Sequence, residues 1–246
     1  MSYVVCFHGI DHKCGTSMLA QCTAERLAAD FHDKKVILVH AEQGPGNTYA
    51  PMVNESLEHI RPYLAEKLID TEELLTKCRY RDNLFILGGV SRPGSNYLYH
   101  PDMAEYLIEK ISEIFDYVIC DTGSEIEHGM CIGALFKADA VYQVITQSET
   151  AVRRYEALCT LFEKLNLKAV KLVINKYEND RLNSVKLLKD RLVIKEEDII
   201  CIRNSSFGSK AEEDGKSLLC YRDKNFAKGI REICDDIIQR SKQDNV

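Results

Sequence analysis

The stretch from residue 7 to residue 18 reads Phe7-His8-Gly9-Ile10-Asp11-His12-Lys13-Cys14-Gly15-Thr16-Ser17-Met18, and it joins an apolar run to a segment with helical periodicity. A strand, a glycine-containing loop and a helix N-terminus in this order bind phosphate through backbone N–H groups. The common motif is G-x-x-x-x-G-K-[ST], whereas this loop is one residue longer and has Thr16 in place of lysine. We therefore predict a phosphate loop whose candidate nucleotide-binding residues are Gly9, Asp11, His12, Lys13, Cys14, Gly15, Thr16, Ser17 and Met18.

The rest of the chain alternates short apolar runs with longer segments whose apolar residues recur at three- and four-residue spacing. This pattern is typical of crossover units that build a parallel sheet. We expect one α/β domain over residues 1–246, with a doubly wound, mostly parallel sheet of seven to eight strands and helices on both faces. Residues 43–54 are predicted to form a mobile loop. The predicted strands are 3–7, 35–40, 84–87, 117–120, 140–145, 169–174 and 199–202, and the predicted helices are 17–31, 71–78, 101–115, 149–165, 184–192 and 226–241.

Composition narrows the class of protein. The 38 acidic residues outnumber the 32 basic ones, for a net charge of −6, so no overall positive field favours nucleic acid or an anionic membrane. Specific nucleic-acid binding is therefore not expected, although local basic patches such as Arg153-Arg154 remain open. The ten cysteines form no CxxC pair and should be mostly buried, reduced thiols. With no apolar segment long enough to span a bilayer, we expect a cytoplasmic protein.

Several segments, in order along nearly the whole chain, resemble the ParA/MinD family of deviant phosphate-loop ATPases. Gly15 and Ser17 align with its K-G-G-x-G-K-T loop. Residues 115–122 resemble its Y-D-Y-x-I-x-D-T Walker B segment, and residues 173–177 resemble its adenine-contacting V-x-N-R-x stretch. Further similar segments are residues 40–42 for the family's D-x-D, 138–148 for its A-D and P-x-x-x-S region, and 211–216 for its A-x-x-x-G-x turn.

The resemblance implies that ATP or ADP binds with Mg²⁺. It places the Ser17 hydroxyl and the Asp121 carboxylate on the magnesium ion and Asn175 on the adenine. A helix cap for Ser17 and a strand-end turn for Asp121 and Asn175 are the structural alternatives. Glu42 falls at the family's water-orienting aspartate, which makes it a candidate catalytic residue.

The departures from the family fall on the positive charges. Asp11 stands at the signature lysine and Thr16 at the Walker lysine, which leaves Lys13 as the loop's candidate catalytic cation. Hydrolysis is therefore expected to be weak or absent. The Gly15-Thr16-Ser17 spelling is similar to the CpaE/TadZ branch of pilus-assembly localisation proteins, which implies a homodimer that binds an unidentified protein partner.

Other interpretations of these residues remain open. The chain could be an active partitioning ATPase that uses Lys13, a nucleotide-free scaffold, or a phosphate-loop enzyme such as a kinase or a dethiobiotin-synthase-like protein. Cys6, His8, His12 and Cys14 lie close together in sequence and could hold zinc, but a buried strand with no second ligand pair argues against it.

Overall fold

One twisted sheet of eight strands organises the described part of the chain. The computed structural model describes residues 2–42, 44–46, 48–92, 94–168 and 170–243. The strand order is β3-β4-β2-β5-β1-β6-β7-β8, and every pairing is parallel except that of β3 with β4. The strands are β1 Tyr3–Gly9, β2 Val36–His40, β3 Arg79–Arg81, β4 Leu84–Leu87, β5 Tyr117–Asp121, β6 Ala140–Ile145, β7 Val170–Tyr177 and β8 Ile199–Arg203.

Helices cover both faces of the sheet. Apolar residues at three- and four-residue spacing turn one side of each long helix toward the strands. Serine caps begin several of them, as where Ser148 Oγ accepts from the backbone N–H of Ala151 at 3.2 Å. The helices are α1 Thr16–Asp30, α2 Leu57–Ala65, α3 Thr71–Lys77, α4 Pro101–Ser112, α5 Gly129–Lys137, α6 Glu149–Leu165, α7 Val185–Leu192, α8 Gly208–Glu213 and α9 Lys224–Gln243.

Alternate residues of the central strands pack into two different core layers, because successive side chains of a strand point to opposite faces of the sheet. Val5 and Phe7 pack in the layer under α1 and α9, whereas Val4 and Cys6 pack in the layer under α4 and α5. A third apolar cluster joins α6 and α7 to the strands β6 and β7. The parallel strands β1, β2 and β5 end together at one edge of the sheet, and this is the edge at which ligands bind in open α/β sheets.

The predicted fold class is confirmed, and all seven predicted strands are present within a few residues of their expected ends. The strand expected at 169–174 is Val170–Tyr177, and residue 169 lies outside the described residues. The edge strand β3 and the helices α2, α5 and α8 were not predicted. Within 43–54, the described residues include an isolated bridge from Gly44 to Val90 and no helix, while residues 43 and 47 are outside the description, so that mobility stays a prediction.

The ten cysteines are all unpaired thiols, as predicted, and seven of them are buried. No helix in the described ranges is both long and apolar enough to cross a bilayer.

Candidate nucleotide-binding site

The loop between β1 and α1 is held from inside by its own small side chains. The Thr16 side chain is buried, and its Oγ1 lies 3.1 Å from the Sγ of Cys14. A Cβ on Gly9 would come within 2.4 Å of Thr16 Oγ1, so only glycine fits at this place. The side chain of Thr16, at the Walker-lysine position, is therefore packed against Cys14 and beside Gly9.

A second strand, β7, fixes the loop from outside. Asn175 Nδ2 donates to the backbone oxygen of Cys14 at 2.7 Å, and Lys176 Nζ donates to the backbone oxygen of Lys13 at 2.8 Å. A register shift in the pairing of β7 with β8, between Ile174 and Tyr177, accompanies these contacts. Such a bulge re-aims side chains, which here point along the edge of the sheet toward the loop.

Asn175 was predicted to contact the adenine. In the structure Nδ2 donates one of its two N–H groups to the backbone oxygen of Cys14, which leaves the second N–H and Oδ1 for a ligand. Gly15 is the loop residue that allows the contact: it has φ +92°, and a Cβ there would meet Asn175 Nδ2 at 2.5 Å. The tight approach of Asn175 thus requires glycine at position 15.

Two adjoining cavities open over the loop. The smaller one, of about 200 Å³, is lined by the predicted loop residues from Asp11 to Met18 and by Glu42. The larger one, of about 460 Å³, extends past Asn175 and Lys176 to the segment after β8. Four residues line both cavities, which makes them one continuous groove: Lys13, Gly15, Met18 and Tyr49.

The described lining of the larger cavity includes three cations, of which only Lys13 was predicted to lie at the site. Lys13 has φ +57° and an exposed side chain, and Lys176 and Arg203 join it from β7 and β8. Lys176 was missed because its proximity to Lys13 depends on a contact between residues 163 positions apart. A groove lined by several cations suits an anionic ligand.

The side chains of Asp11 and His12 contact α6 and the segment after β5. Asp11 Oδ1 lies 3.6 Å from Arg154 NH1 of α6, and His12 Nε2 lies 2.9 Å from Glu125 Oε1. The negative charge at the signature-lysine position is therefore paired within the same chain. Both contacts are partly exposed, so each contributes little to stability.

The predicted magnesium residues meet Glu42 at the ends of β2 and β5. Ser17 Oγ donates to Glu42 Oε1 at 3.3 Å, and Asp121 is fully buried, with Oδ1 accepting from the Gly123 N–H at 3.2 Å. Burial, together with the nearby Asp121 carboxylate, raises the pKa of Glu42 to about 9. Two carboxyl groups that share a proton in a buried place are a donor set that accommodates a divalent cation, so these residues fit Mg²⁺.

His40 completes this corner of the site. Its Nδ1 lies 3.1 Å from Asp121 Oδ2, with the two side chains 3% and 0% exposed. Burial alone raises the pKa of Asp121, but hydrogen bonds and charge from His40, with a hydrogen bond from Ser17, hold it below the ordinary value. Asp121 is thus kept ionised while its neighbour Glu42 is kept protonated.

The alternative zinc quartet is not assembled. Cys6 lies in the core layer under α4 and α5, whereas Cys14 lies in the layer under α1. Among the described residues, the ligand atoms of three or more His, Cys, Asp or Glu side chains come within 4.8 Å of one another only at His40, Glu42 and Asp121. The two thiols therefore lie on opposite faces of the sheet.

Basic residues on α6 and α7 are mostly engaged in ion pairs. Arg153 Nε lies 2.9 Å from Glu149 Oε1, and Arg191 contacts both Glu149 and Glu156. The positive charges of this surface are thus neutralised locally.

No family model matches the chain. A curated relative, the septum site-determining protein MinD of Bacillus subtilis (strain 168), is 25% identical over 169 residues, which span 64% of this chain and 63% of that protein. The match thus covers less than two thirds of the length of this relative.

Solved structures are similar over nearly the whole chain. The ParA family ATPase of Chlorobium tepidum TLS has a TM-score of 0.82 and 19% identity, covering 96% of this chain and 98% of that one. The MinD of Pyrococcus horikoshii OT3, complexed with Mg-ADP, has a TM-score of 0.75 and 14% identity, covering 95% and 96%. The comparisons therefore confirm the fold of the phosphate-loop NTPases and the resemblance of this chain to the ParA/MinD ATPases.

Proposed function

We propose that this chain acts as a single ParA/MinD-like domain that binds an adenine nucleotide with Mg²⁺, dimerises, and localises or partitions a cellular structure through a protein partner. The observation that carries the proposal is the continuous groove that runs from the phosphate loop past Asn175. Its two parts are adjacent, as the phosphates and the nucleoside of one ligand require.

The groove favours a definite orientation of the nucleotide. The phosphates occupy the smaller cavity, where loop N–H groups and Lys13 meet them, with Lys176 adjoining. The nucleoside occupies the larger cavity, where Asn175 Oδ1 remains as an acceptor. Ser17 and Asp121 hold Mg²⁺, which supplies positive charge to the phosphates. The MinD of Pyrococcus horikoshii, which has a similar fold, is complexed with Mg-ADP, and this supports an adenine nucleotide with Mg²⁺ as the ligand.

We propose that hydrolysis is weak or absent, as in a degenerate CpaE/TadZ-like member of the family. Thr16 provides no charge, and its side chain is packed against Cys14. Glu42 stands at the place of the family's water-orienting aspartate, but its Oε1 accepts a hydrogen bond from Ser17 Oγ at 3.3 Å. Lys13 and Lys176 bind phosphate without completing the constellation that phosphoryl transfer needs.

Calorimetric titration of the purified protein with ATP and ADP, with and without Mg²⁺, tests the proposal. We expect binding that Mg²⁺ strengthens and that Ser17→Ala weakens, whereas Ser91→Ala, at an exposed position, leaves it unchanged. Absence of binding would support the nucleotide-free scaffold. A turnover on the order of 1 per second or faster would support the active ATPase instead.

Dimerisation is tested separately, by sedimentation with and without ATP. The proposed interface is the face that bears the phosphate loop, where Asp11, His12 and Glu125 are accessible. An isologous two-fold contact would bring this face against its own copy. A strict monomer in every condition would reject the dimer and leave the nucleotide site in place.

A further inference from the structure

One imidazole and two carboxyl groups meet at the carboxyl ends of β2 and β5. His40 and Glu42 come from the end of β2 and the turn after it, and Asp121 ends β5. We propose that His40, Glu42 and Asp121 directly bind one first-row transition-metal ion, of the Co²⁺ or Zn²⁺ type, in the absence of nucleotide.

The spacing of the ligand atoms suits a single ion. One ligand atom from each side chain lies within 4.8 Å of the other two, and His40 Nδ1 is 3.1 Å from Asp121 Oδ2. Metal bonds of about 2.0–2.2 Å place neighbouring ligands of one ion about 3 Å apart and opposite ligands about 4 Å apart. Small side-chain shifts therefore bring all three groups onto one centre.

His40 presents Nδ1 to the cluster, because Nδ1 is the ring nitrogen that lies 3.1 Å from Asp121 Oδ2. The side chains of His40 and Asp121 are only 3% and 0% exposed, so the surrounding packing holds both ligands in place. An ion bound between Nδ1 and the carboxylate replaces their hydrogen bond with two metal bonds.

The histidine decides which ion is bound. Mg²⁺ prefers oxygen ligands and gives up its water reluctantly, whereas imidazole suits Zn²⁺, Fe²⁺ and Ni²⁺ and, by the same trend, Co²⁺. This ion takes its ligands from the protein alone. The Mg²⁺ of the proposed function is instead held by Ser17, Asp121 and the nucleotide, so the two proposals can fail independently.

Titration of the nucleotide-free protein with Co²⁺ and with Mg²⁺, followed by calorimetry and by cobalt absorption, tests the inference. We expect one Co²⁺ per chain, bound at least about a hundredfold more tightly than Mg²⁺. His40→Gln should lose at least about a hundredfold in Co²⁺ affinity. The matched control is His59→Gln, because His59 Nδ1 also lies 3.0 Å from a carboxylate, that of Glu55, but the His59 side chain is 69% exposed. Its Co²⁺ affinity should not change.

Three results would overturn the inference: no Co²⁺ binding without nucleotide, equal affinity for Co²⁺ and Mg²⁺, or unchanged binding in His40→Gln. A sulfur-to-cobalt charge-transfer band would assign the ion to a cysteine and also reject it. If His40→Gln does not fold, the wild-type selectivity and spectrum still decide. Lys13→Ala, which changes no residue of the cluster, should keep Co²⁺ binding while weakening the binding of ATP with Mg²⁺, which separates this site from the nucleotide site.

Discussion

Replacing Asn175 with alanine tests whether this side chain holds the phosphate loop or recognises the base. Asn175 is buried, with 4% exposure, and its Nδ2 donates to the backbone oxygen of Cys14 at 2.7 Å. The alanine variant removes the donor and leaves a buried carbonyl oxygen unsatisfied. We therefore expect a general loosening of the loop, felt by every ligand that uses it.

The size of the effect follows from this one contact. An unsatisfied buried acceptor costs about 1–3 kcal/mol of the free energy of unfolding. For a chain of this length, each kcal/mol lowers Tm by about 2–4 °C. If the variant must spend the same free energy to form the loop conformation that binds ligands, its affinity for phosphate ligands falls about 5- to 150-fold.

Thermal unfolding and calorimetric titration with ATP, GTP and inorganic triphosphate measure both quantities. We expect Asn175→Ala to lower Tm and to weaken all three ligands by a similar factor. Asn204→Ala is the control for stability, because the exposed Asn204 amide donates at 2.7 Å to Glu178 and lies outside the core. Its effect on the free energy of unfolding should stay within about 0.5 kcal/mol.

A loss confined to ATP would contradict this reasoning. If Tm and triphosphate affinity were unchanged in Asn175→Ala while discrimination between ATP and GTP disappeared, Asn175 would be a base-reading residue. The hydrogen bond to Cys14 would then contribute nothing to the free energy of unfolding or to ligand affinity.

Three further predictions concern the charges of the site. In urea unfolding, Glu42→Gln should stabilise the metal-free protein by about 1 kcal/mol or more at pH 8 and by nothing near pH 4.5. Burial and Asp121 raise the pKa of Glu42 to about 9 in the folded protein, so between these two pH values only the unfolded wild type releases the proton. A gain in stability that is independent of pH would contradict this reasoning. In calorimetry, Lys13→Ala and Lys176→Ala should each weaken ATP binding about tenfold and leave adenosine binding unchanged, because each removes a positive charge that binds phosphate. Equal losses of affinity for ATP and adenosine would indicate that the substitution disturbs the loop. Asp11→Lys should tighten ATP-dependent dimerisation in sedimentation, by replacing the partner of Arg154 with a cation for the opposite copy's phosphates; unchanged association with ATP would remove that geometry.

The strands could be predicted because buried parallel strands are continuous apolar runs. The edge strand Arg79–Arg81 could not, since it has three residues, two of them charged and exposed, and pairs antiparallel with β4. The helix Gly129–Lys137 was missed for a different reason. Gly129 and Gly133 contact the backbone of residues 99–101 so closely that a Cβ would meet a carbonyl oxygen at 2.1 Å, and glycines in a helix interior give no periodic signal.

Some features of the candidate site could likewise be predicted from the sequence, and others could not. The loop, Ser17 and Asp121 were predictable because each stands next to a strand whose end the sequence reveals. The contacts of Asn175 and Lys176 with the loop were not, because they join residues 161 and 163 positions apart in the sequence. The replacement of an acid by His40 was visible in the sequence, but its packing against Asp121 appears only in the assembled sheet.

The ties from β7 to the phosphate loop end on main-chain oxygens, those of Cys14 and Lys13. Every residue type presents the same oxygen, so these ties place no demand on the side chains of the two loop positions. The curvature of the loop is consequently independent of the lysine that usually occupies its last turn. A loop held in this way can keep its shape while its side chains change, so its shape and the residues that catalysis needs can vary independently.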